Sequence, residues 1–385
     1  MRIGALRDAR LLRTLDPPRG IDLSSNDYLS LSQHPLVKGR MIEAVRREGC
    51  GSTGSRLLRG ERDSFASLER TFAAFKHAGR ALYFSSGYLA NLSVMTTFPE
   101  AGDAIFSDER NHASLIDGIR LSAASRAVFP HNDVGALARL LDGHREGQAF
   151  VVIESLFSMD GDVAPLAEYA ALCRAAGAAL IVDEAHAVGI CGARGSGLVE
   201  ANGLERDVFV TVNTAGKALG VSGAFVAGSS EAIEYLIQRA RPFIFSTAPP
   251  PAVADAIEAS LSIVASEPER RQRLVRLARH LRNRLCEADI PAAPGDSHII
   301  PVIVGSNERA LAVAQAMQAE GFDIRAIRPP SVPENTARLR ITVNVGLDEP
   351  TLDRFAATLA VALKGLSPVH QGLSSVSSVP SVVES

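Results

Sequence analysis

Short, wholly apolar runs alternate along this chain with alanine- and leucine-rich stretches of helical character, and few folds tolerate that pattern. Ala81-Leu-Tyr-Phe84, Phe150-Val-Val-Ile153, Ala179-Leu-Ile-Val182 and Val208-Phe-Val-Thr-Val212 lack the polar alternation of a half-exposed strand. They predict strands buried on both faces, in an α/β sheet covered by helices. Polar residues follow the C-terminal ends of these runs, where open α/β sheets place their ligands. From Glu267 to Asp289 an arginine-rich stretch carries Leu274, Leu277, Leu281 and Leu285 at helical spacing. It separates this region from a second α/β portion. A chain of 385 residues exceeds one compact core. The expected organisation is therefore an N-terminal arm over 1–27, a large part over 28–267, a smaller C-terminal part over 268–366 and a serine- and valine-rich flexible tail over 367–385.

Charge and cysteine usage narrow the partners. The formal net charge is −3, and the many arginines are dispersed among acids, unlike a nucleic-acid surface. Cys50, Cys173, Cys191 and Cys286 stand far apart with no CxxC spacing, which fits a reducing cytoplasm. No apolar stretch has the length of a signal or a membrane span. The expected partners are small molecules.

Only four lysines occur, at 38, 76, 217 and 364. Lys38 and Lys76 lie in or beside amphipathic helical stretches, and Lys364 closes the final one, where a cation suits the helix dipole. Lys217 has no such ordinary explanation. It sits in the glycine-bounded turn Thr214-Ala-Gly-Lys-Ala-Leu-Gly220, before another strand-like run, Gly223-Ala-Phe-Val-Ala227. A lysine amine that has lost its proton condenses with an aldehyde. Upstream, Ile181-Val-Asp-Glu-Ala-His186 is a strand ending in a carboxylate, with an imidazole three residues on. Pyridoxal phosphate needs such a carboxylate against its ring nitrogen, and Asp183 is the candidate. An acidic pair after a strand also binds magnesium in nucleotide hydrolases, but no GxxxxGK[ST] loop accompanies it, and Gly49-Cys-Gly-Ser-Thr-Gly54 lacks the lysine. No metal is expected, because His186 has neither a second histidine at i+4 nor a cysteine pair nearby. Ser85-Ser-Gly-Tyr-Leu-Ala-Asn91 follows a strand and opens a helical stretch, so its N–H groups can cradle a phosphate; a simple N-cap is the alternative.

The segments Ser24-Ser-Asn-Asp-Tyr-Leu29, Gly51-Ser-Thr-Gly-Ser-Arg56, Ser85-Ser-Gly-Tyr88, Asn111-His-Ala-Ser-Leu115, Phe157-Ser-Met-Asp-Gly-Asp162, Asp183-Glu-Ala-His186 and Lys217 occur in that order. With them the chain, from about residue 20 to residue 365, resembles the α-oxoamine synthases. These are fold-type I pyridoxal phosphate transferases that condense an amino acid with an acyl thioester and lose carbon dioxide. The resemblance implies Lys217 as the Schiff-base lysine, Asp183 as the ring-nitrogen partner, His186 as donor to the phenolic oxygen and His112 as the imidazole stacked on the ring. It further implies Gly87 and Tyr88 as backbone binders of the cofactor, Ser158 as a hydroxyl near the ring and Thr214 as a phosphate ligand. For substrate it implies Arg328 on the amino acid carboxylate, Asn26 in the Ser24–Leu29 segment, Ser331 on the acyl chain and Arg13 on the same chain. Pro130-His-Asn-Asp-Val134, Ala326-Ile-Arg-Pro-Pro-Ser-Val-Pro333 and Thr336-Ala-Arg-Leu-Arg340 favour a member that joins L-alanine to a pimeloyl thioester of coenzyme A or acyl carrier protein in biotin synthesis. A homodimer is implied, with Ser246-Thr247 and the Gly51–Arg56 loop reaching the partner's cofactor. Two departures bear on local geometry: Ala187, where glycine is common, and Ala215, where a larger residue is usual.

Overall fold

The apolar runs become the central sheet of the computed structural model, which describes residues 2–292 and 295–365. The stretch expected as a tail, 367–385, lies outside the described residues. Seven strands make up this sheet: β1 (Arg80–Phe84), β2 (Ala104–Asp108), β3 (Ser125–Phe129), β4 (Ala149–Glu154), β5 (Ala179–Asp183), β6 (Val210–Thr214) and β7 (Ala224–Gly228). Their order across the sheet is β1-β7-β6-β5-β4-β2-β3. Neighbours from β6 to β3 run parallel, and β7 is antiparallel to both β1 and β6. Every residue of β4 is buried, as continuous apolar runs require when helices cover both faces.

Two strands differ from the sequence reading. β6 starts two residues later than the apolar run and takes in Asn213 and Thr214, because pairing with β7 continues through Asn213↔Phe225 and Thr214↔Ala224. β3 is a mostly exposed edge strand, so it carries no apolar run to announce it.

Six helices matter for the site: α1 (Asp63–Lys76), α2 (Gly87–Thr97), α3 (Ala113–Leu121), α4 (Ala252–Ser266), α5 (Pro268–Glu287) and α6 (Glu349–Gly365). α5 is the long helix read from the leucine spacing, and it buries Leu274, Leu277, Leu281 and Leu285. Pro268 stands at its start, where a missing N–H costs nothing. Beyond it, β8 (Ile299–Gly305), β9 (Ala326–Ile327) and β10 (Ala337–Thr342) form an antiparallel sheet in the order β9-β10-β8. The N-terminal segment joins this portion: Ile21–Asp22 pairs in parallel with Phe322–Asp323. Thr342 N donates to Leu23 O at 2.8 Å and Val345 N to Tyr28 O at 3.0 Å. One apolar core runs through Leu23, Tyr28, Ile257, Leu277, Val313 and Phe355, so both sheets share it.

Lys76 departs from the ordinary helix-end cation expected of it. It is buried, and its Nζ donates to Glu184 Oε2 and to Ser196 O, each at 2.5 Å. Glu184 accepts also from Val199 N at 2.9 Å. Gly197, at φ +133°, lets the loop pass this carboxylate; a Cβ there would lie 2.5 Å from both of its oxygens. Among the described residues no helix is long and apolar enough to cross a membrane, and no cluster of three or more His, Cys, Asp or Glu side chains could hold a metal.

Candidate active site

Parallel strands end side by side, so residues far apart in sequence become neighbours. β4 ends at Glu154 and β5 at Asp183, directly paired, and β6 beside them ends at Thr214. A tight turn follows β5, with Ala187 N and Val188 N both on Glu184 O at 2.9 Å. It swings His186 back against the turn after β6, where Lys217 Nζ lies 2.7 Å from His186 Nε2.

His186 is buried, and its Nδ1 lies 2.7 Å from the hydroxyl of Tyr28. The Tyr28 hydroxyl also donates to Asn26 Oδ1 at 2.9 Å, and Arg340 Nη1 reaches the same oxygen at 3.1 Å. A hydroxyl has one proton. Given to Asn26, it leaves His186 Nδ1 as the donor to Tyr28 and Nε2 as the acceptor from Lys217. Burial, followed by the charges of Lys217 and Arg340, pushes the His186 pKa well below its ordinary value, so the ring is neutral, as this bonding needs. His298 packs against Tyr28 with ring centroids 4.0 Å apart and the rings tilted by 59°.

Asp183 is held on both oxygens: Oδ1 accepts from Ala185 N at 2.8 Å, and Oδ2 from Asn91 Nδ2 at 2.7 Å. Burial pushes the Lys217 amine down, against the opposing pull of Asp183 and Glu154. Burial also pushes the neighbouring Glu154 carboxyl up, and the charge of Asp183 adds to that. Burial thus favours the uncharged form of both Lys217 and Glu154.

His112 caps α3, with Ser114 N donating to its Nδ1 at 3.2 Å. Thr214 Oγ1 accepts from Gly216 N and donates to Gly223 O, both at 3.1 Å. Gly87 opens α2 facing Thr214: a Cβ on it would meet only Thr214 Cβ and Oγ1, each at 3.9 Å. Ser158 is buried, and its carbonyl accepts from Arg340 Nε at 2.5 Å. Tyr88 is 43% exposed and bonds Asp117 through its hydroxyl.

Arg13, Arg328 and Ser331 form a separate group. Arg328 donates to the carbonyls of Arg10 and Leu12, Arg13 reaches Pro329 O at 3.5 Å, and Ser331 N donates to Arg328 O at 3.2 Å. Among the described residues no hydrogen bond links this group to Lys217, Asp183 or His186. Ser246 and Thr247 line a small cavity with Arg56 and Ser85, and Ala248 N bonds Gly54 O at 2.9 Å. Ala187 is buried and its backbone lies outside the positive-φ region; the turn takes its positive φ at Gly189 instead. The methyl therefore causes no backbone strain. Ala215 is buried too.

The residue reading passed over Asn91, Tyr28, Glu154 and Arg340 as site groups. Each stood inside or next to a quoted segment: Asn91 closes Ser85–Asn91, one turn after Gly87, and Arg340 closes Thr336–Arg340. Glu154 follows an apolar run, the same signal that marked Asp183.

The residues present fit pyridoxal phosphate. Lys217 offers a half-buried amine for the aldehyde, Asp183 a fixed carboxylate for the ring nitrogen and His186 a hydrogen-bonding nitrogen beside the amine. The start of α2, with no side chain at Gly87 and the Thr214 hydroxyl opposite, is open to a phosphate. The sequence profile of the aminotransferase class I and II family matches residues 18–359. Over 351 residues the chain is 46% identical to the 8-amino-7-oxononanoate synthase of Anaeromyxobacter sp. strain K, covering 91% of this chain and 88% of that protein. A high-resolution structure of SPT that carries PLP superposes with a TM-score of 0.87 at 31% identity, over 90% of this chain and 88% of that one. The crystal structure of 8-amino-7-oxononanoate synthase from Francisella tularensis matches with a TM-score of 0.78 at 28% identity, over 90% and 98%.

Proposed function

This chain belongs to the aminotransferase class I and II family and, within it, to the α-oxoamine synthases, and from that premise we infer that it condenses L-alanine with a pimeloyl thioester, with loss of carbon dioxide, in biotin synthesis. It is a pyridoxal phosphate-dependent acyltransferase. The observation that carries this reading is the half-buried Lys217 amine, 2.7 Å from His186 and within the field of Asp183 and Glu154.

When bound, the cofactor supplies an electron sink for the bond-breaking at the amino acid's α-carbon. The protein's own part is holding and moving protons. Lys217 anchors the aldehyde; once its amine is free, it takes the α-proton from alanine and later returns one. An ordinary lysine is almost wholly protonated at neutral pH and cannot act as a base. Burial moves Lys217 toward the neutral form. Asp183, fixed by Asn91 and Ala185 N, would face the ring nitrogen, and its carboxylate would favour a proton there. His186, braced from behind by Tyr28, would face the phenolic oxygen, and to donate to it the ring would carry its proton on Nε2 with the Tyr28 hydroxyl turned to Nδ1. The N–H groups opening α2, with the backbone of Gly87 and Tyr88, and the Thr214 hydroxyl would hold the phosphate, the Ser158 hydroxyl would lie near the ring, and His112 would cover it.

For substrate, Arg328 binds the alanine carboxylate as a planar fork, Asn26 lines the approach, and Ser331 and Arg13 meet the acyl chain. Arg328 releases the carbonyls of Arg10 and Leu12 to do so. We place residues 28–267 as the cofactor-binding part and 268–366 as the smaller part, which carries Arg328 and Ser331, while Arg13 and Asn26 belong to the arm over 1–27. The same reading makes the protein a cytoplasmic homodimer in which Ser246-Thr247 and the Gly51–Arg56 loop serve the partner's site. The deciding experiment supplies alanine, glycine or serine with pimeloyl-coenzyme A or pimeloyl-acyl carrier protein and follows carbon dioxide and thiol. Release that needs the thioester and is fastest with alanine is expected. A keto acid formed without carbon dioxide would make the protein an aminotransferase, and preference for glycine or serine would move it to another branch of the family.

A further inference from the structure

Between His112 and Asp183 lie two buried side chains, Asn91, which the mechanism above uses only to fix Asp183, and Ser114, to which it gives no task. Asn91, on α2, is 2% exposed, and Ser114, on α3, is 1% exposed. Asn91 Nδ2 donates to Asp183 Oδ2 at 2.7 Å and to Ser114 Oγ at 3.0 Å. Ser114 Oγ lies 2.7 Å from His112 Nδ1, and Ser114 N donates to the same nitrogen at 3.2 Å.

Elementary bonding rules give this chain a direction. An ionised carboxylate only accepts, so the amide atom facing Asp183 is the nitrogen, which fixes the orientation of the Asn91 side chain. The second hydrogen of that nitrogen goes to Ser114 Oγ. The hydroxyl, accepting from Asn91, turns its own proton to His112 Nδ1, where the Ser114 backbone N–H also points. With two donors aimed at it, Nδ1 has no room for a hydrogen. The imidazole then carries its proton on Nε2. One consequence is a cost: Asn91 Oδ1 is buried without a hydrogen-bond partner, a penalty of about 1–3 kcal/mol. Turning the amide over would relieve it only by setting Oδ1 against the Asp183 carboxylate.

We propose that Asn91 and Ser114 are positioning residues that hold His112 as its Nε2–H tautomer and tie that choice to the ionised Asp183. The ring that covers the cofactor therefore offers a hydrogen donor at Nε2 and cannot pick up a proton at Nδ1 without breaking the chain. Although His112 is an exposed residue, partial desolvation of its ring also disfavours charge on it. The link runs both ways: protonating Asp183 frees Asn91 to turn, which releases Ser114 and with it the tautomer. A neutral, donor-only imidazole suits a group that grips a substrate oxygen while Lys217 moves the proton.

The inference rests on reading His112 and Asp183 as cofactor contacts, and one measurement tests it apart from turnover. In holoenzyme labelled with nitrogen-15 histidine, the His112 pair is assigned as the signals lost in His112→Asn. A pyridine-type Nδ1 and a pyrrole-type Nε2 are expected at neutral pH. Ser114→Ala should shift the pair toward a tautomer mixture and lower kcat about 3- to 10-fold, the worth of one hydrogen bond, while KM for alanine stays nearly constant. Ser114→Thr, which keeps the hydroxyl, should restore both. A protonated Nδ1 in the unsubstituted enzyme overturns the proposal whether or not any variant folds, as does an unchanged nitrogen pair in folded Ser114→Ala. If the functional reading fails instead, alanine gives no carbon dioxide while the tautomer stands.

Discussion

His131 bridges two carboxylates, and the pH dependence of its contribution to stability can be worked out beforehand. Its Nδ1 lies 2.9 Å from Asp108 Oδ1 and its Nε2 2.6 Å from Asp162 Oδ2. The Phe157 ring packs perpendicular to the imidazole at a centroid distance of 4.4 Å. Asn132 Nδ2 also donates to Asp162 at 2.9 Å, and Arg110 acts on that carboxylate from further off. Burial works against the imidazolium, but the hydrogen bonds to Asp108 and Asp162 outweigh it and raise the His131 pKa from 6.5 to about 9. At about 1.4 kcal/mol per pKa unit, that difference has a ceiling of roughly 3 kcal/mol. The Asp162 side chain is 37% exposed, and solvent screening reduces the expected figure to about 1–2 kcal/mol. Because the folded pKa is raised, the contribution is complete below about pH 6.5 and disappears as the pH climbs through 9. His131→Asn should therefore melt about 1–3 °C below the unsubstituted protein at pH 6 in low salt. By pH 10 the gap should shrink to whatever the lost Phe157 contact leaves. Thermal melts followed by dye fluorescence, at intervals from pH 6 to pH 10, measure it. A gap that stays constant or widens across that range would refute the reasoning.

Lys217→Ala should abolish turnover and leave no cofactor absorbance that borohydride fixes to the protein; near-normal activity would remove the lysine from its role. Asp183→Asn keeps the shape of the side chain but not its charge, so kcat should fall by about a hundredfold or more in a protein that melts normally, and a smaller loss would deny the carboxylate its electrostatic part. Lys76→Met leaves Glu184 as an uncompensated buried charge and should cost about 3–5 kcal/mol in denaturant titrations. Adding Glu184→Gln should recover most of that loss, and simple additivity of the two changes would argue against a buried ion pair.

Several features of the site could be read from residues alone, for a physical reason. A lysine in a glycine-bounded turn between apolar runs, and a carboxylate closing such a run, are unusual in places that ordinary packing does not explain. That was enough to single out Lys217 and Asp183. The buried strands were legible because burial on both faces removes polar residues over a whole run, as in β4. β3 was not, since an edge strand needs no such run. Lys76 misled because a lysine closing an amphipathic helix looks the same whether its end meets water or Glu184, and only the fold decides which. Asn91, Tyr28 and Arg340 stayed hidden for a related reason: their roles exist only in pairs whose members lie far apart in sequence. The amide of Asn91 means little until β5 brings Asp183 to it.

That separation has a further consequence, for how the protein is made. Asn26 and Tyr28 brace His186, and Arg340, 314 residues after Asn26, bonds the same oxygen of Asn26 that Tyr28 bonds. Ile21–Asp22 and Leu23 find their backbone partners at Phe322–Asp323 and Thr342. On a ribosome, where early parts of a chain begin to fold first, Lys217, Asp183, His186 and His112 all emerge before Arg340 exists. The earliest-made segment must then wait, its apolar Leu23 and Tyr28 unburied, for nearly the last-made strand to arrive. A chain released early therefore holds every group that handles the cofactor yet lacks the brace behind them, so the complete site marks a finished protein.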